Sequence, residues 1–163
     1  MLNQNQAENP FEGKVRVRVC GLLIENDQIL LLKHDNIGPG GHLWSPPGGG
    51  VEFGESIEKT LKKEFEEETN LSIEVGDYLF TNEFISNKYH AIELFFQVVR
   101  VSGELALGND PELSLEQQIL SEARFFSPNE LEKLPGNTIH NAFDAANARD
   151  KIAELRGLIT FKH

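Results

Sequence analysis

A glycine-rich loop that leads into an amphipathic helix constrains this chain more than any other feature of its sequence. Residues 46–50 read Pro-Pro-Gly-Gly-Gly, and residues 56–70 follow a helical period. Ile57, Leu61 and Phe65 recur every four residues, which gives the helix one apolar stripe to bury. The sequence therefore predicts a helix packed on a core, directly after a loop whose bare backbone a ligand can approach closely.

Capping signals mark the ends of the predicted helices. Ser56 suits the N-cap of the first helix, and Asn70 suits a left-handed residue after its last turn. Residues 127–130 read Ser-Pro-Asn-Glu, a capping box with proline at the first helical position, so a short second helix should stop near Pro135. The pattern also predicts a last helix over residues 138–156.

Apolar and β-branched segments predict strands on both sides of the first helix. They cover residues 15–24, 29–33, 72–75, 78–86 and 90–101. The turn at residues 25–28 makes the first two strands a hairpin, and their nearly continuous apolar runs indicate burial on both faces. The predicted fold class is α/β, with a mixed β-sheet sandwiched between helices in an α/β/α arrangement.

The length fits one domain. The chain has 163 residues, and the polar segment 1–12 is predicted to be a flexible N-terminal arm ahead of a single domain at 13–163. That segment does not resemble a signal peptide, and no apolar run approaches the ~20 residues that span a bilayer. Cys20 is the only cysteine, so no internal disulfide can form. These features favour a cytoplasmic protein without membrane partners.

The charge balance excludes one class of ligand and constrains another. Lys and Arg number 15 against 26 Asp and Glu, for a net charge of −11. A chain this acidic is a poor candidate for binding nucleic acid through a broad electrostatic footprint. If it binds a phosphorylated ligand, it must recruit positive charge, most simply as a divalent metal ion.

Three glutamates share one face of the predicted helix. Glu64, Glu67 and Glu68 stand at positions i, i+3 and i+4, while Glu66 points to the solvent side. Two carboxylates ~4 Å apart repel by about 4 kcal/mol at an effective dielectric of 20, and grouped oxygen ligands suit Mg²⁺ or Mn²⁺. A solvated acidic face is the alternative, but acids late in a helix oppose its dipole, which favours a metal site.

The same stretch resembles the signature of the Nudix hydrolase family, also called MutT-like. Gly49 opens it, Glu55 follows after five residues, Lys63-Glu64 after seven more, and then come Glu67-Glu68 and Leu71. The resemblance covers 23 residues without a gap.

Three positions depart from the family pattern. Lys63 replaces an arginine, Asn70 replaces a glycine and Phe65 occupies a usually aliphatic position. An ammonium cannot reproduce the planar, bidentate pairing of a guanidinium, so Lys63 affects the expected rate more than metal binding.

The resemblance implies a Nudix fold and Mg²⁺- or Mn²⁺-dependent hydrolysis of a pyrophosphate bond. The substrate would be a nucleoside diphosphate linked to another moiety, such as a nucleotide sugar, a dinucleoside polyphosphate or a nucleoside triphosphate. The metal ligands would be the Gly48 carbonyl and the carboxylates of Glu64, Glu67 and Glu68. Glu55 and Gly49 would support the site, and Glu64 would orient or deprotonate the attacking water.

Other residues are candidates for catalysis or substrate binding. Lys63 and Glu67 complete the catalytic set, and Glu116 is a candidate base because the base of some Nudix enzymes lies downstream. Trp44 could stack on a base, although such a tryptophan is more often a core or rim aromatic, and Arg18 could contact phosphate. The downstream proline associated with ADP-ribose hydrolases is absent, since Ser86 and Asn87 stand at that place.

Two other functions and the oligomeric state stay open. A Nudix-fold module that senses a nucleotide without cleaving it would fit the departures at Lys63 and Asn70. An isomerase acting on an isoprenoid diphosphate would need a well-placed cysteine, whereas Cys20 lies in a predicted buried strand. The sequence allows a homodimer without deciding for it.

Overall fold

A computed structural model describes residues 11–109, 118–147 and 149–162 of the chain. The strands are β1 Val15–Glu25, β2 Gln28–Asp35, β3 His42–Ser45, β4 Gly48–Gly50, β5 Ser72–Ile85, β6 His90–Ser102, β7 Leu120–Phe126 and β8 Gly157–Lys162. The helices are α1 Ile57–Thr69, α2 Pro128–Lys133 and α3 Asn141–Ala145, with short 3-10 helices at Gly136–Thr138 and Arg149–Glu154. No helix within the described ranges is both long and apolar enough to cross a membrane.

The sheet is mixed, as predicted, and it divides at β1. The main path runs β3-β2-β1-β6-β5-β8, while β4 pairs with β1 and β7 pairs with β2. The β1–β6 and β5–β8 pairs are parallel and the other pairs are antiparallel. The predicted hairpin forms only at its tip, where Ile24 faces Ile29 and Glu25 faces Gln28. The rest of β1 leaves β2 to lie between β4 and β6.

Apolar clusters cover both faces of the sheet around β1. On one face Leu61 and Phe65 of α1 pack with Val19 and Val98. The other face carries a cluster that includes Cys20, Phe95 and Trp44 and residues of α2 and α3. Because successive strand residues point to opposite faces, neighbours along β1 enter different clusters, which explains its continuous apolar run. The predicted arrangement of helices on both sides of a mixed sheet is confirmed.

The predicted ends of α1 and α2 are confirmed. The Ser56 hydroxyl accepts a hydrogen bond from the Lys59 amide at 3.2 Å, and Asn70 adopts a left-handed conformation with φ of 60°. Ser127 and Glu130 form the expected capping box at the start of α2. These local signals depend on neighbouring residues only, so they can be read from sequence.

The predicted helix over residues 138–156 is wrong. The described part of that region holds α3, two short 3-10 helices and a left-handed Asn147, and it leads into strand β8. The side chain of His140 accepts a hydrogen bond from the Ala142 amide and so caps α3 at its first turn. β8 forms because it pairs in parallel with residues 80–85 of β5, a long-range contact that local periodicity cannot show.

Three further strands, β3, β4 and β7, are not predicted from the sequence. β4 consists of three glycines, which lack the side chains that favour strands, and it is held by pairing to β1. Ten residues of the predicted N-terminal arm, 1–10, lie outside the described part of the chain. The arm and the single domain at 13–163 therefore stay predictions.

Candidate functional site

The candidate site is built where strand β4 lies against helix α1. The Gly48 amide donates a hydrogen bond to Glu68 Oε2 at 3.0 Å. At Gly49 a Cβ atom would collide with the Glu64 carboxyl group, so the absence of a side chain lets that carboxylate rest on the strand backbone. Two of the three predicted carboxylate ligands therefore meet the glycine segment.

The strand itself requires glycine at Gly48 for a different reason. β4 pairs with β1 in a register that puts Gly48 opposite Cys20 and Gly49 opposite Val19. A Cβ atom on Gly48 would collide with the backbone carbonyl of Val19. Because that obstacle is main chain in a paired strand, it cannot swing aside as the Glu64 side chain can. Gly48 thus keeps β4 close to β1, and β4 in turn presents its backbone to α1.

The three glutamates offer the type of donor that a hard divalent cation prefers. Glu68 is buried, with 8% of its surface exposed, and Glu64 and Glu67 are partly buried on the same helix. Oxygen-only donors suit Mg²⁺ and Mn²⁺. Among the described residues, no three His, Cys, Asp or Glu side chains already converge on one point. The donor set and its location fit such an ion, and binding would have to draw the carboxylates together.

Glu55, in the loop before α1, forms an ion pair with Lys63, which directly precedes Glu64 on the helix. Lys63 Nζ lies 3.1 Å from Glu55 Oε2, which also accepts a hydrogen bond from the Thr60 hydroxyl at 3.3 Å. Lys59 Nζ lies 3.2 Å from the other carboxylate oxygen. The hydrogen bond from Lys63 is the main cause that lowers the pKa of Glu55. The loop that carries Glu55 is thereby tied to α1 by side-chain contacts with Lys59, Thr60 and Lys63.

We expect the charge of Lys63 to matter through this ion pair. Lys63→Met removes the main donor to Glu55, so the loop should loosen and activity should fall by roughly 10–100-fold, the usual scale for groups that support metal ligands. Lys63→Arg keeps the charge and should retain activity. Steady-state kinetics of the two variants checks this expectation, and equal loss in both would contradict it.

A buried glutamate that is not among the predicted site residues lies close to the glycine strand. Glu93 of β6 has 7% of its surface exposed and accepts hydrogen bonds from His140 Nε2 at 2.9 Å and Asn82 Nδ2 at 2.8 Å. Arg18 Nε forms an ion pair with Glu93 Oε1 at 3.6 Å. A single glutamate between Ile92 and Leu94 in an apolar strand was the available signal, because charged residues are rarely buried without partners.

This polar group is ionised at neutral pH. Burial alone would raise the pKa of the Glu93 carboxyl, but His140, Arg18 and Asn82 hold it below its ordinary value. Burial would also lower the pKa of the Arg18 guanidinium. The acidic groups around Arg18, which include Glu93 and two of the helix glutamates, hold the pKa of the guanidinium above its ordinary value. Arg18 therefore lies in the field of the candidate metal ligands.

The remaining predicted residues are placed differently. Trp44 has 5% of its surface exposed and packs edge-to-face on Phe126, with ring centroids 4.7 Å apart. Of the two roles considered for Trp44, this placement favours packing in the core over stacking on a base. Glu116, the candidate downstream base, lies outside the described residues. The role of Glu116 therefore stays a prediction.

Comparisons with known proteins identify relatives of this chain. The ADP-ribose pyrophosphatase of Methanocaldococcus jannaschii is 33% identical over 120 residues, which make up 72% of this chain and 65% of that protein. The chain thus spans less than two thirds of the length of this relative.

Solved structures at lower identity share the fold. A NUDIX hydrolase from Nitrosomonas europaea superposes with a TM-score of 0.67 at 22% identity, covering 88% of this chain and 93% of the other. A MutT NUDIX hydrolase from Burkholderia pseudomallei gives a TM-score of 0.65 at 24% identity, covering 83% and 98%. The NUDIX domain model matches residues 14–146, most of the chain including β4 and α1, and the chain therefore belongs to the NUDIX domain family.

Proposed function

We propose that this protein hydrolyses a pyrophosphate bond in a nucleoside diphosphate linked to another moiety, with Mg²⁺ or Mn²⁺ as its cofactor. The observation that carries the proposal is the packing of the Glu64 and Glu68 carboxylates against the bare backbone of β4. The relative named as an ADP-ribose pyrophosphatase supports ADP-ribose as the first substrate to test. A nucleotide sugar, a dinucleoside polyphosphate and a nucleoside triphosphate belong to the same substrate class.

Each residue of the site has a role in this reaction. The Gly48 carbonyl and the carboxylates of Glu64, Glu67 and Glu68 would hold the metal. When bound, such an ion polarises the phosphoryl group, screens its charge and lowers the pKa of an attacking water. Glu64 orients that water and accepts its proton, because its carboxylate rests on the strand that faces the site.

Other residues act on substrate charge and on the loop. Arg18 offers hydrogen-bond donors to a phosphate oxygen, and the pairing of Lys63 with Glu55 keeps the loop before α1 in place. Glu116 is a second candidate base. The single buried Cys20 agrees with a reducing compartment, so the proposal includes a cytoplasmic location.

Turnover of a defined substrate panel tests the proposal. We expect the purified protein to cleave at least one of ADP-ribose, a nucleotide sugar, a dinucleoside polyphosphate or a nucleoside triphosphate in the presence of Mg²⁺ or Mn²⁺. Chelation of the metal should abolish the reaction, and the products should sum to the mass of the substrate plus one water. The Glu67→Gln/Glu68→Gln variant is the matched control. Equal turnover by this variant and the unmodified protein would refute the proposal.

A nucleotide-sensing module is the second candidate function. It is favoured by one observation, namely that no three acidic side chains in the described residues already converge on one point. The sensing function predicts a ligand-induced rise in Tm with no product formed over hours. An isomerase would instead release a product with the same mass as its substrate, which the measurement of product mass in the substrate panel detects.

A further inference from the structure

A row of polar side chains crosses the sheet next to the candidate site, on the face opposite α1. Arg18 of β1 lies between Gly50 of β4 and Glu93 of β6, and Glu93 in turn lies opposite Asn82 of β5. Residues directly opposite each other on paired strands share a face. The row therefore starts beside the glycine strand and runs into the protein, where His140 joins it through Glu93.

The roles of the two ring nitrogens of His140 follow from its contacts. The Ala142 amide donates a hydrogen bond to His140 Nδ1 at 3.2 Å, so Nδ1 accepts and carries no proton. Nε2 therefore carries the proton and donates it to Glu93 Oε2 at 2.9 Å. The capped start of α3 thus determines which tautomer His140 adopts, and this tautomer is the one that can bind a carboxylate.

The two oxygens of Glu93 are used differently. Oε2 accepts from both His140 and Asn82, whereas Oε1 faces Arg18 Nε at 3.6 Å. Two strong donors on one oxygen hold the carboxylate in a single orientation. The other oxygen then fixes the direction from which the guanidinium can approach.

The guanidinium keeps donors for a ligand. Within the described part of the chain, Arg18 is paired through Nε with Glu93, and 30% of its side chain is exposed. Its two terminal amino groups are the part of the planar fork that matches two oxygens of a phosphate. Arg18 is also paired with Gly50, two residues from the proposed metal-binding carbonyl of Gly48. A phosphate bound to a cation held at that carbonyl would lie within the field of this guanidinium.

We propose that Asn82, Glu93 and His140 are positioning residues that hold Arg18 in place to bind a phosphate oxygen of a nucleoside diphosphate. This inference rests on the proposed function for the location of the diphosphate, but it concerns binding and does not require turnover. Breaking a buried ion pair is costly, because one charge is left without its partner. Here the pairing orients a side chain that meets the ligand.

Calorimetric titration with a non-hydrolysable probe tests the inference. The probe is the α,β-methylene analogue of adenosine diphosphate with Mg²⁺, and adenosine is the uncharged comparison. Arg18→Ala should raise the Kd of the analogue roughly 10–100-fold and leave adenosine binding unchanged, since the contact is a hydrogen bond between charged groups at the phosphate. His140→Phe, which keeps an aromatic ring but removes both nitrogens, should raise the Kd of the analogue by a similar factor. His140→Gln can still donate to Glu93 and should restore most of the affinity.

A double-mutant cycle separates positioning from general stability. If His140 acts through Arg18, the Arg18→Ala/His140→Phe variant should bind the analogue no more weakly than Arg18→Ala alone. Additive losses in the double variant would overturn the inference, and so would equal loss of adenosine binding in Arg18→Ala. Glu93→Gln should behave as His140→Phe does and replaces it in the cycle if that variant fails to fold.

The chain offers a matched control on the same two strands. His90 Nε2 and Glu83 Oε1 also form a pair, at 3.0 Å, but they lie nearer the ends of β5 and β6 and are more exposed. His90→Phe removes a histidine–glutamate pair of the same kind outside the row, so analogue binding should not change. A shift equal to that of His140→Phe would overturn the inference. Absence of turnover in the unmodified protein would refute the proposed function alone, because the Kd values are measured without cleavage.

Discussion

Glu64→Gln is expected to lower kcat by about 10²–10⁴-fold, the usual contribution of a positioned acid–base group. The change keeps the size of a side chain that lies against Gly49 but removes the charge that accepts a proton and attracts a divalent ion. A calorimetric titration of the variant with Mn²⁺ should show weaker metal binding as well. The fold should persist, because Glu64 is only partly buried and the substitution adds no volume.

The control for this variant lies on the same helix. Glu66 is exposed on the solvent side of α1, so Glu66→Gln removes an equal charge from the same segment without altering the face toward β4. It should leave kcat and Mn²⁺ affinity close to those of the unmodified protein. Retention of more than about a tenth of kcat by Glu64→Gln would exclude Glu64 as the proton acceptor.

Gly48→Ala is expected to destabilise the whole domain. The new methyl group would collide with the Val19 carbonyl, and neither group can move without separating β4 from β1. We expect a loss of about 3 kcal/mol or more in the free energy of unfolding, at the upper end of the range for overpacking. Urea unfolding followed by circular dichroism measures this loss.

The adjacent glycine provides a comparison within the same strand. Gly49→Ala would meet the end of a flexible side chain, the Glu64 carboxyl group, which can rotate away. Gly49→Ala should therefore retain most of its stability while losing activity, the opposite balance to Gly48→Ala. If both variants unfolded at the same urea concentration as the unmodified protein, the close packing of β4 on β1 would be disproved.

Features set by near neighbours were predictable from the sequence. The bounds of α1, its N-cap at Ser56 and the left-handed Asn70 follow from spacing and capping chemistry, and the structure confirms them. The common face of the three glutamates follows from helix geometry, and its meeting with β4 follows from the short loop between them. These predictions needed no knowledge of which strands pair.

Features set by distant pairing were not predictable in this way. β8, which follows the predicted last helix, is not predicted as a strand because its stabilising partner β5 lies 77 residues earlier in the chain, as the pairing of Thr160 with Glu83 shows. The contact between His140 and Glu93 in the polar row was not predicted for the same reason, since the two residues are 47 positions apart in the sequence. Only the isolated charge of Glu93 within an apolar strand indicated that this carboxylate must have a polar partner.

The threefold pairing of β1 has a consequence for how such a protein can diversify. Arg18 belongs to the polar row, while Val19 packs in the same cluster as Phe65 of α1, so a slip of one residue would place a cation against Phe65. An insertion in β1 should therefore prevent folding, whereas the loops at the ends of the strand tolerate changes in length. Changes in ligand preference should therefore come from those loops, while the register of β1 stays fixed.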